Sequence, residues 1–319
     1  MDEVADEMQK AKPKLTPQEQ IAFLKSKGVT FERTSEIDAM KYLSGESCLF
    51  AAYTYRTLFP KRIGAAHNGE YANLDFQDLA DLERLDRKLR ATLLPLTLDV
   101  EHLAKAKMLD EVARRSSEDG YAIVRNYMDS LLPSERARRE SEISRLRRDD
   151  YSGDLQRHYA DNMPIWVFLE LSSFGTVADV YRFCANRWLD HTMLREHYFL
   201  RSAKGVRNAC AHSAAILNGF GSDYHVARAA PDTLTTALHD AGFSKRARSS
   251  RMESLRLQQI ASLLLLHKRM TEGTALADEA SLQLRELSAE MRTTISIIHP
   301  DTSAEASMQF FADLLDDWF

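Results

Sequence analysis

Turn-forming residues are scarce in this sequence, with 12 glycines and 8 prolines spread over 319 residues. An all-β protein built from many short strands needs more of them, because glycine and proline mark its turns. Long apolar runs are missing too, since no window approaches the roughly 18 consecutive apolar residues of a membrane-spanning helix. The first 14 residues are polar and acidic, without the apolar segment of a secretory signal. These absences predict an all-α protein of the cytoplasm, without a membrane partner.

Cysteine is equally rare, and the three present are Cys48, Cys184 and Cys210. They are widely spaced and form no CxxC pair, which argues against a thiolate zinc site and fits a reducing compartment. We therefore expect three small, buried, apolar side chains.

Positive charge is not in excess, because the formal net charge is -5. A globally basic nucleic-acid binder is excluded, so any RNA contact has to use a local patch. One compact basic group consists of Lys245, Arg246, Arg248 and Arg251. These cations either bind an RNA backbone or belong to the solvated start of a helix. Residues 134–157 carry both charge signs interleaved, and a solvated helix with i,i+4 pairs is favoured there over an RNA-binding arm.

Helix signals recur along the whole chain. Thr16, Pro17 and Glu19 have the order of a helix start, with a capping residue, a proline at the first position and a glutamate at the third. Leucines at three- and four-residue spacing predict one long helix from Asp75 to about Ser117, with Pro95 inside it. The expected organisation is a frayed or disordered lead over 1–14, an N-terminal helical module over 15–70, a helical bundle over 75–270 and a C-terminal helical extension over 271–319.

The chemistry-bearing segment is Arg207-Asn208-Ala209-Cys210-Ala211-His212, which combines a guanidinium, a carboxamide and an imidazole. On a helix Asn208 and His212 share a face, and the long Arg207 side chain can reach round to them. Such a group suits metal-independent cleavage of RNA, in which His212 moves protons and Arg207 stabilises charge on the phosphate. An arginine and a histidine at this spacing are more often structural than catalytic, with the arginine in a structural role and the histidine hydrogen-bonded.

Motifs of other enzyme classes are missing. The sequence has no Walker loop, no GxSxG and no GxGxxG, and its histidines lack the spacing of a metal site. We therefore expect neither a small-molecule cofactor nor a metal ion.

Four segments resemble, in the right order, those of the Abi family of abortive-infection proteins. The run from Arg207 to His212, followed by Asn218, resembles that family's RN-x-CAH…N signature. Residues 164–170 with 173–176 are similar to the family's P-x-W…E…SFG segment. Residues 85–90 with 99–101 are similar to its fD-x-x-LR…iE helix, and residues 15–28 are similar to its LT-x-x-eQI opening.

The resemblance implies a HEPN-like helical bundle with N-terminal and C-terminal helical extensions. In it Arg207 and His212 are catalytic and Asn208 helps to orient them, with Glu170 and Asn218 in support. Glu170 matches the family's acidic position on a neighbouring helix, although a surface or structural carboxylate remains an equal alternative.

The expected function is an abortive-infection endoribonuclease, toxin-like, acting on RNA. One motif per chain implies a homodimer in which two copies face each other. The alternative is a non-catalytic HEPN protein that binds RNA or a partner and is restrained by a structured small RNA or an antitoxin.

Overall fold

The structure is a computed structural model that describes residues 14–64, 67–220, 229–298 and 302–319. Within these ranges it contains fifteen α-helices and no strand, and its β pairing is limited to the isolated bridges Thr30–Asp75 and Lys61–Tyr71. The prediction of an all-α protein is confirmed. The predicted lead over residues 1–14 lies outside the described residues except for Lys14.

The helices, numbered in chain order, are α1 Pro17–Ser26, α2 Glu36–Gly45, α3 Leu49–Tyr53, α4 Phe76–Arg114, α5 Ala122–Asp129, α6 Pro133–Arg145, α7 Gly153–His158, α8 Ile165–Glu170, α9 Phe174–Arg187, α10 His191–Ala211, α11 Asp232–Asp240, α12 Lys245–Arg251, α13 Leu255–Thr271, α14 Ala275–Ile295 and α15 Ser303–Trp318. Short 3₁₀ turns cover Thr54–Leu58, Leu146–Arg148 and Leu217–Phe220. Across the described ranges, no helix combines the length and the apolar character needed to cross a bilayer.

Local sequence explains where the first helices begin. The hydroxyl of Thr16 accepts the Glu19 N–H at 3.3 Å, and the Glu19 carboxylate accepts the Thr16 N–H at 2.7 Å. This reciprocal capping box satisfies two N–H groups that the first turn leaves without helical partners. The hydroxyl of Ser35 caps α2 by accepting the Asp38 N–H at 3.1 Å.

The first of two compact units consists of the described residues within Met1–Lys88, Ala215–Asp223 and Ala289–Ala312. At its centre the fully buried carboxylate of Asp86 accepts three hydrogen bonds. Tyr55 Oη donates to it at 2.8 Å, and the N–H groups of Ile216 and Leu217 donate at 3.1 and 2.9 Å. Asp86 thereby holds the 3₁₀ turn that begins at Leu217.

The second unit consists of the described residues within Leu89–Ala214, Tyr224–Ser288 and Asp313–Phe319. In it α10 packs against α9 and α13. Gly205 allows the close approach of α10 to α13, because a Cβ at this position would lie 3.0 Å from Nε2 of Gln259. The packing of α10 fixes the helix that carries the Arg207–His212 segment.

The predicted long helix is present as Phe76–Arg114, and the leucines of its apolar stripe from Leu79 to Leu96 are buried. Two burial predictions are wrong. The run from Met163 to Trp166 predicts a helix start with Trp166 on its core side, but Trp166 is 46% exposed, and its indole lies over Gly120, where a Cβ would lie 2.8 Å from Cζ3. Cys48 is exposed at the start of α3, whereas Cys184 and Cys210 are buried as expected.

Candidate active site

The C-terminus of α10 presents His212. The helix ends at Ala211, and the His212 N–H still donates to the Asn208 carbonyl at 3.0 Å. Ser213 then adopts a φ of 53°, and the Ala214 N–H donates to the Ala209 carbonyl at 2.9 Å. This closing turn holds the backbone of His212 in place at the end of the helix, while the residue is exposed to solvent.

Arg207 and Asn208 lie in the last full turn of α10, and both are half-buried. Nη1 of Arg207 donates to Oδ1 of Asn208 at 3.3 Å. This contact uses one of the five N–H groups of the guanidinium, so the fork that binds a phosphate in two places is kept. Asn208 is therefore in contact with the Arg207 guanidinium, and its orienting role stays a prediction.

Two residues of α4 and one of α8 add charge to this region. Nζ of Lys105 lies 4.0 Å from the Glu101 carboxylate and 3.5 Å from that of Glu170. The side chains of Glu101 and Lys105 are 14% and 18% exposed, whereas that of Glu170 is 68% exposed. Glu101 and Lys105 are thus enclosed members of the cluster, and Glu170 lies at its edge.

The electrostatics connect this cluster to Arg207. Burial raises the pKa of the Glu101 carboxyl, and the positive charges of Lys105 and Arg207 only partly offset that effect, while Glu170 adds to it. Arg207 is therefore near enough for its charge to act on Glu101.

The two predicted supporting residues have partners of their own. Glu170 pairs with Lys105, so its charge acts on the cluster around Arg207. In the first unit, Oδ1 of Asn218 accepts a hydrogen bond from the hydroxyl of Thr57.

Sequence reasoning missed Glu101 and Lys105 as members of the site. A glutamate and a lysine at this spacing on one helix are usually a surface ion pair. The one signal that could have identified Glu101 is its place in the fD-x-x-LR…iE resemblance, where it is the final acidic residue.

The predicted basic group lies on α12. Nη1 of Arg248 donates to the Thr235 carbonyl at 3.1 Å, which ties α12 to α11. Lys245 and Arg248 line a cavity of about 490 Å³ together with Asp232 and Glu253. Acidic residues therefore line this cavity together with the cations. Of the other two members of the basic group, Arg246 is exposed and Arg251 is half-buried.

The charged segment over 134–157 begins with α6, none of whose residues is buried. Arg136 lies 2.8 Å from Asp129 and 2.9 Å from Glu140, the second of these an i,i+4 pair. Glu142 instead accepts the N–H of Ser173 at 2.7 Å, at the residue that precedes α9. The segment thus contains the predicted helical ion pairs and also fixes the start of a neighbouring helix.

In the part of the chain that the structure describes, no group of three or more His, Cys, Asp or Glu side chains is placed to hold a metal ion.

The fold and this polar cluster define an all-helical protein with an arginine, an asparagine and a histidine at the end of one helix. The chain belongs to the Abi-like protein family, whose sequence model matches residues 46–218, more than half of the chain. The matched range contains Glu101, Glu170 and the Arg207–His212 segment. Membership suggests abortive infection as the broad role. No curated protein and no solved structure gave a match.

Proposed function

We propose that the protein is an abortive-infection endoribonuclease of the HEPN type that cleaves RNA without a metal ion. The observation that carries this proposal is the exposed His212 at the end of α10, one turn beyond a guanidinium that Asn208 holds at 3.3 Å. A group that transfers protons and a group that binds phosphate thus lie on one short, well-packed segment.

The chemistry follows from these groups. His212 removes the proton of a ribose 2′-OH, the 2′-oxygen attacks the adjacent phosphorus, and the bond from phosphorus to the 5′-oxygen breaks. Arg207 binds the non-bridging oxygens as their negative charge increases. The products are a 2′,3′-cyclic phosphate and a 5′-hydroxyl, and DNA is excluded because it has no 2′-OH.

The leaving 5′-oxygen needs a proton at the same time, and each chain supplies a single His212. A second copy of the chain, facing the first across a two-fold axis, supplies the second imidazole. A homodimer is therefore part of the proposed mechanism, with one histidine as base and the other as acid.

Glu101 and Lys105 have a positioning role in this proposal. The negative charge of ionised Glu101 attracts the Arg207 guanidinium, and Lys105 balances the charges of Glu101 and Glu170. The arrangement keeps Arg207 in place without a direct contact to RNA.

The second candidate is a non-catalytic protein of the same type that binds RNA or a partner, restrained by a structured small RNA or an antitoxin. The observation that favours it is the Glu101 carboxylate, whose charge interaction with Arg207 reduces the positive potential that RNA would meet.

Expression in a bacterial host separates the two candidates. Wild type is compared with His212→Ala and with His191→Ala, a matched control because His191 is an exposed histidine at the other end of α10. The ribonuclease proposal expects growth arrest and RNA decay with wild type and His191→Ala, and neither with His212→Ala. Equal behaviour of all three, with RNA that co-purifies intact, would favour the binding protein.

A further inference from the structure

A large cavity lies in the first unit, and none of its lining residues has a role in the proposed mechanism. Its volume is about 850 Å³, and its walls come from α1, from α3 with the 3₁₀ turn that follows, and from Lys61, Gly69 and Tyr71. We name it the aromatic groove. A volume of this size accommodates a small organic ring system together with its substituents.

Aromatic rings form one part of its lining. Phe23 and Tyr53 meet edge to face with ring centroids 5.2 Å apart, and Tyr53 meets Tyr71 in the same way at 6.2 Å. Phe50 also lines the groove and is 87% exposed. An aromatic ring this exposed at the mouth of a cavity offers a face on which a flat ligand can stack.

Cations form the other part of the lining. Nζ of Lys27 lies 5.6 Å from the centroid of the Phe23 ring, and Nζ of Lys61 lies 5.6 Å from that of Tyr71. The Arg56 guanidinium lies 4.4 Å from the Tyr53 ring. Among the described residues that line the groove none is acidic, although the chain as a whole carries a net charge of -5. The groove is therefore a local region of positive potential.

We propose that the aromatic groove binds a single-stranded segment of RNA. One base stacks on Phe50, and the flanking phosphates lie against Lys27, Lys61 and Arg56. Single strands combine accessible base faces with closely spaced negative charges, whereas a duplex keeps its bases stacked inside. That the strand is RNA rests on the proposed function, but the preference for an unpaired strand follows from the groove itself.

The test measures binding by fluorescence anisotropy with the full chain carrying His212→Ala. The probe is a short, labelled 2′-O-methyl RNA strand, which has no 2′-OH and cannot be cleaved. Phe50→Ala is added to remove the stacking face, Lys61→Ala to remove one phosphate contact, and Lys41→Ala as the matched control. Lys41 is an exposed lysine of α2, 2.9 Å from Asp38, that does not line the groove.

The proposal expects Phe50→Ala to weaken binding about tenfold or more, the range of one lost base stack. It expects Lys61→Ala to reduce the slope of log affinity against log salt by about 0.7, the value for one phosphate on a single strand. Lys41→Ala should change neither quantity. A duplex of the same sequence should bind more weakly than the single strand, and Phe50→Ala should leave its affinity unchanged.

Three results would overturn the proposal: no binding of the strand, equal binding by all variants, or displacement of the strand by a glutamate-rich peptide at equal charge concentration. Because the probe cannot be cleaved, these results are independent of whether wild type cuts RNA. A protein that binds the probe through the groove but never cuts RNA would refute only the proposed function.

Discussion

Oδ1 of Asp86 accepts the backbone N–H of Leu217 at 2.9 Å and so joins two segments that lie 131 positions apart in the sequence. Ile216 and Tyr55 donate to the other oxygen of the same carboxylate at 3.1 and 2.8 Å. A fully buried carboxylate with three donors is a structural group, because its hydrogen bonds are made within the protein. This finding gives a physical reason for an aspartate in the segment that resembles the Abi family.

Asp86→Ala is expected to destabilise the first unit by at least about 3 kcal/mol, since it leaves two buried N–H groups and one hydroxyl without their acceptor. Tyr55→Phe removes one of these donors and should cost about 1 kcal/mol. Urea unfolding followed by circular dichroism measures both. A stable Asp86→Ala protein that has lost activity would instead assign Asp86 a chemical role.

Glu101→Gln should separate stability from activity. Burial raises the pKa of the Glu101 carboxyl despite Lys105 and Arg207, so its contribution to stability is present at acid pH and decreases as pH rises through the folded-state pKa. Because burial disfavours the ionised carboxylate, Glu101→Gln should leave the melting temperature equal or higher.

The same change should lower RNA cleavage, because Arg207 loses the charge that positions it. Glu111→Gln is a control on the same helix, where the carboxylate pairs with Arg115 at 2.8 Å. Reduced stability with unchanged cleavage in Glu101→Gln would show that Glu101 is a purely structural residue.

His197 should make the second unit sensitive to acid. This histidine of α10 is buried, and burial lowers its pKa to about 4, with the positive charges of Arg182 and Arg201 adding to the effect. Because the folded state resists protonation, its contribution to stability is present above a pH of 6.5 and is lost as pH falls towards 4.

The free energy of unfolding of wild type should therefore fall relative to His197→Gln by up to about 1.4 kcal/mol per pH unit in that interval. His191→Gln, at an exposed position of the same helix, should follow wild type. Parallel pH profiles for wild type and His197→Gln would contradict the assignment. Urea unfolding at a series of pH values provides the comparison.

Dimerisation should govern activity if two copies of His212 share the proton transfers. Cleavage rate per mole of protein should fall on dilution, in parallel with the fraction of dimer measured by light scattering. A chain that is monomeric at every concentration and retains full activity would rule out the shared arrangement.

Features that depend on neighbouring residues in the sequence could be predicted. Thr16 caps its helix as expected, because a cap involves residues only three positions apart. The leucine stripe of α4 was equally clear, since spacing alone defines a helix face. Exposure of Trp166 was not predictable, because it depends on the distant backbone of Gly120.

The same distinction applies to the candidate site. Arg207, Asn208 and His212 are contiguous, so their chemistry could be read from one segment. Glu101 lies on a different helix, and no sequence spacing encodes the electrostatic interaction of its carboxylate with Arg207. The aromatic groove likewise combines Phe23, Phe50 and Tyr71 from separate segments, and each alone looks like an ordinary apolar residue.

The most direct test of the central claim is cleavage of labelled RNA by purified protein in excess EDTA, with analysis of the product ends. The proposal predicts that wild type leaves 2′,3′-cyclic phosphate and 5′-hydroxyl ends, and that a single 2′-deoxy substitution at the cleaved position blocks the cut. Arg207→Ala and His212→Ala should be inactive while folded, losing about a hundredfold or more in rate, and Asn208→Ala should lose less. Cleavage that needs a divalent metal, or that survives in His212→Ala, would contradict the account.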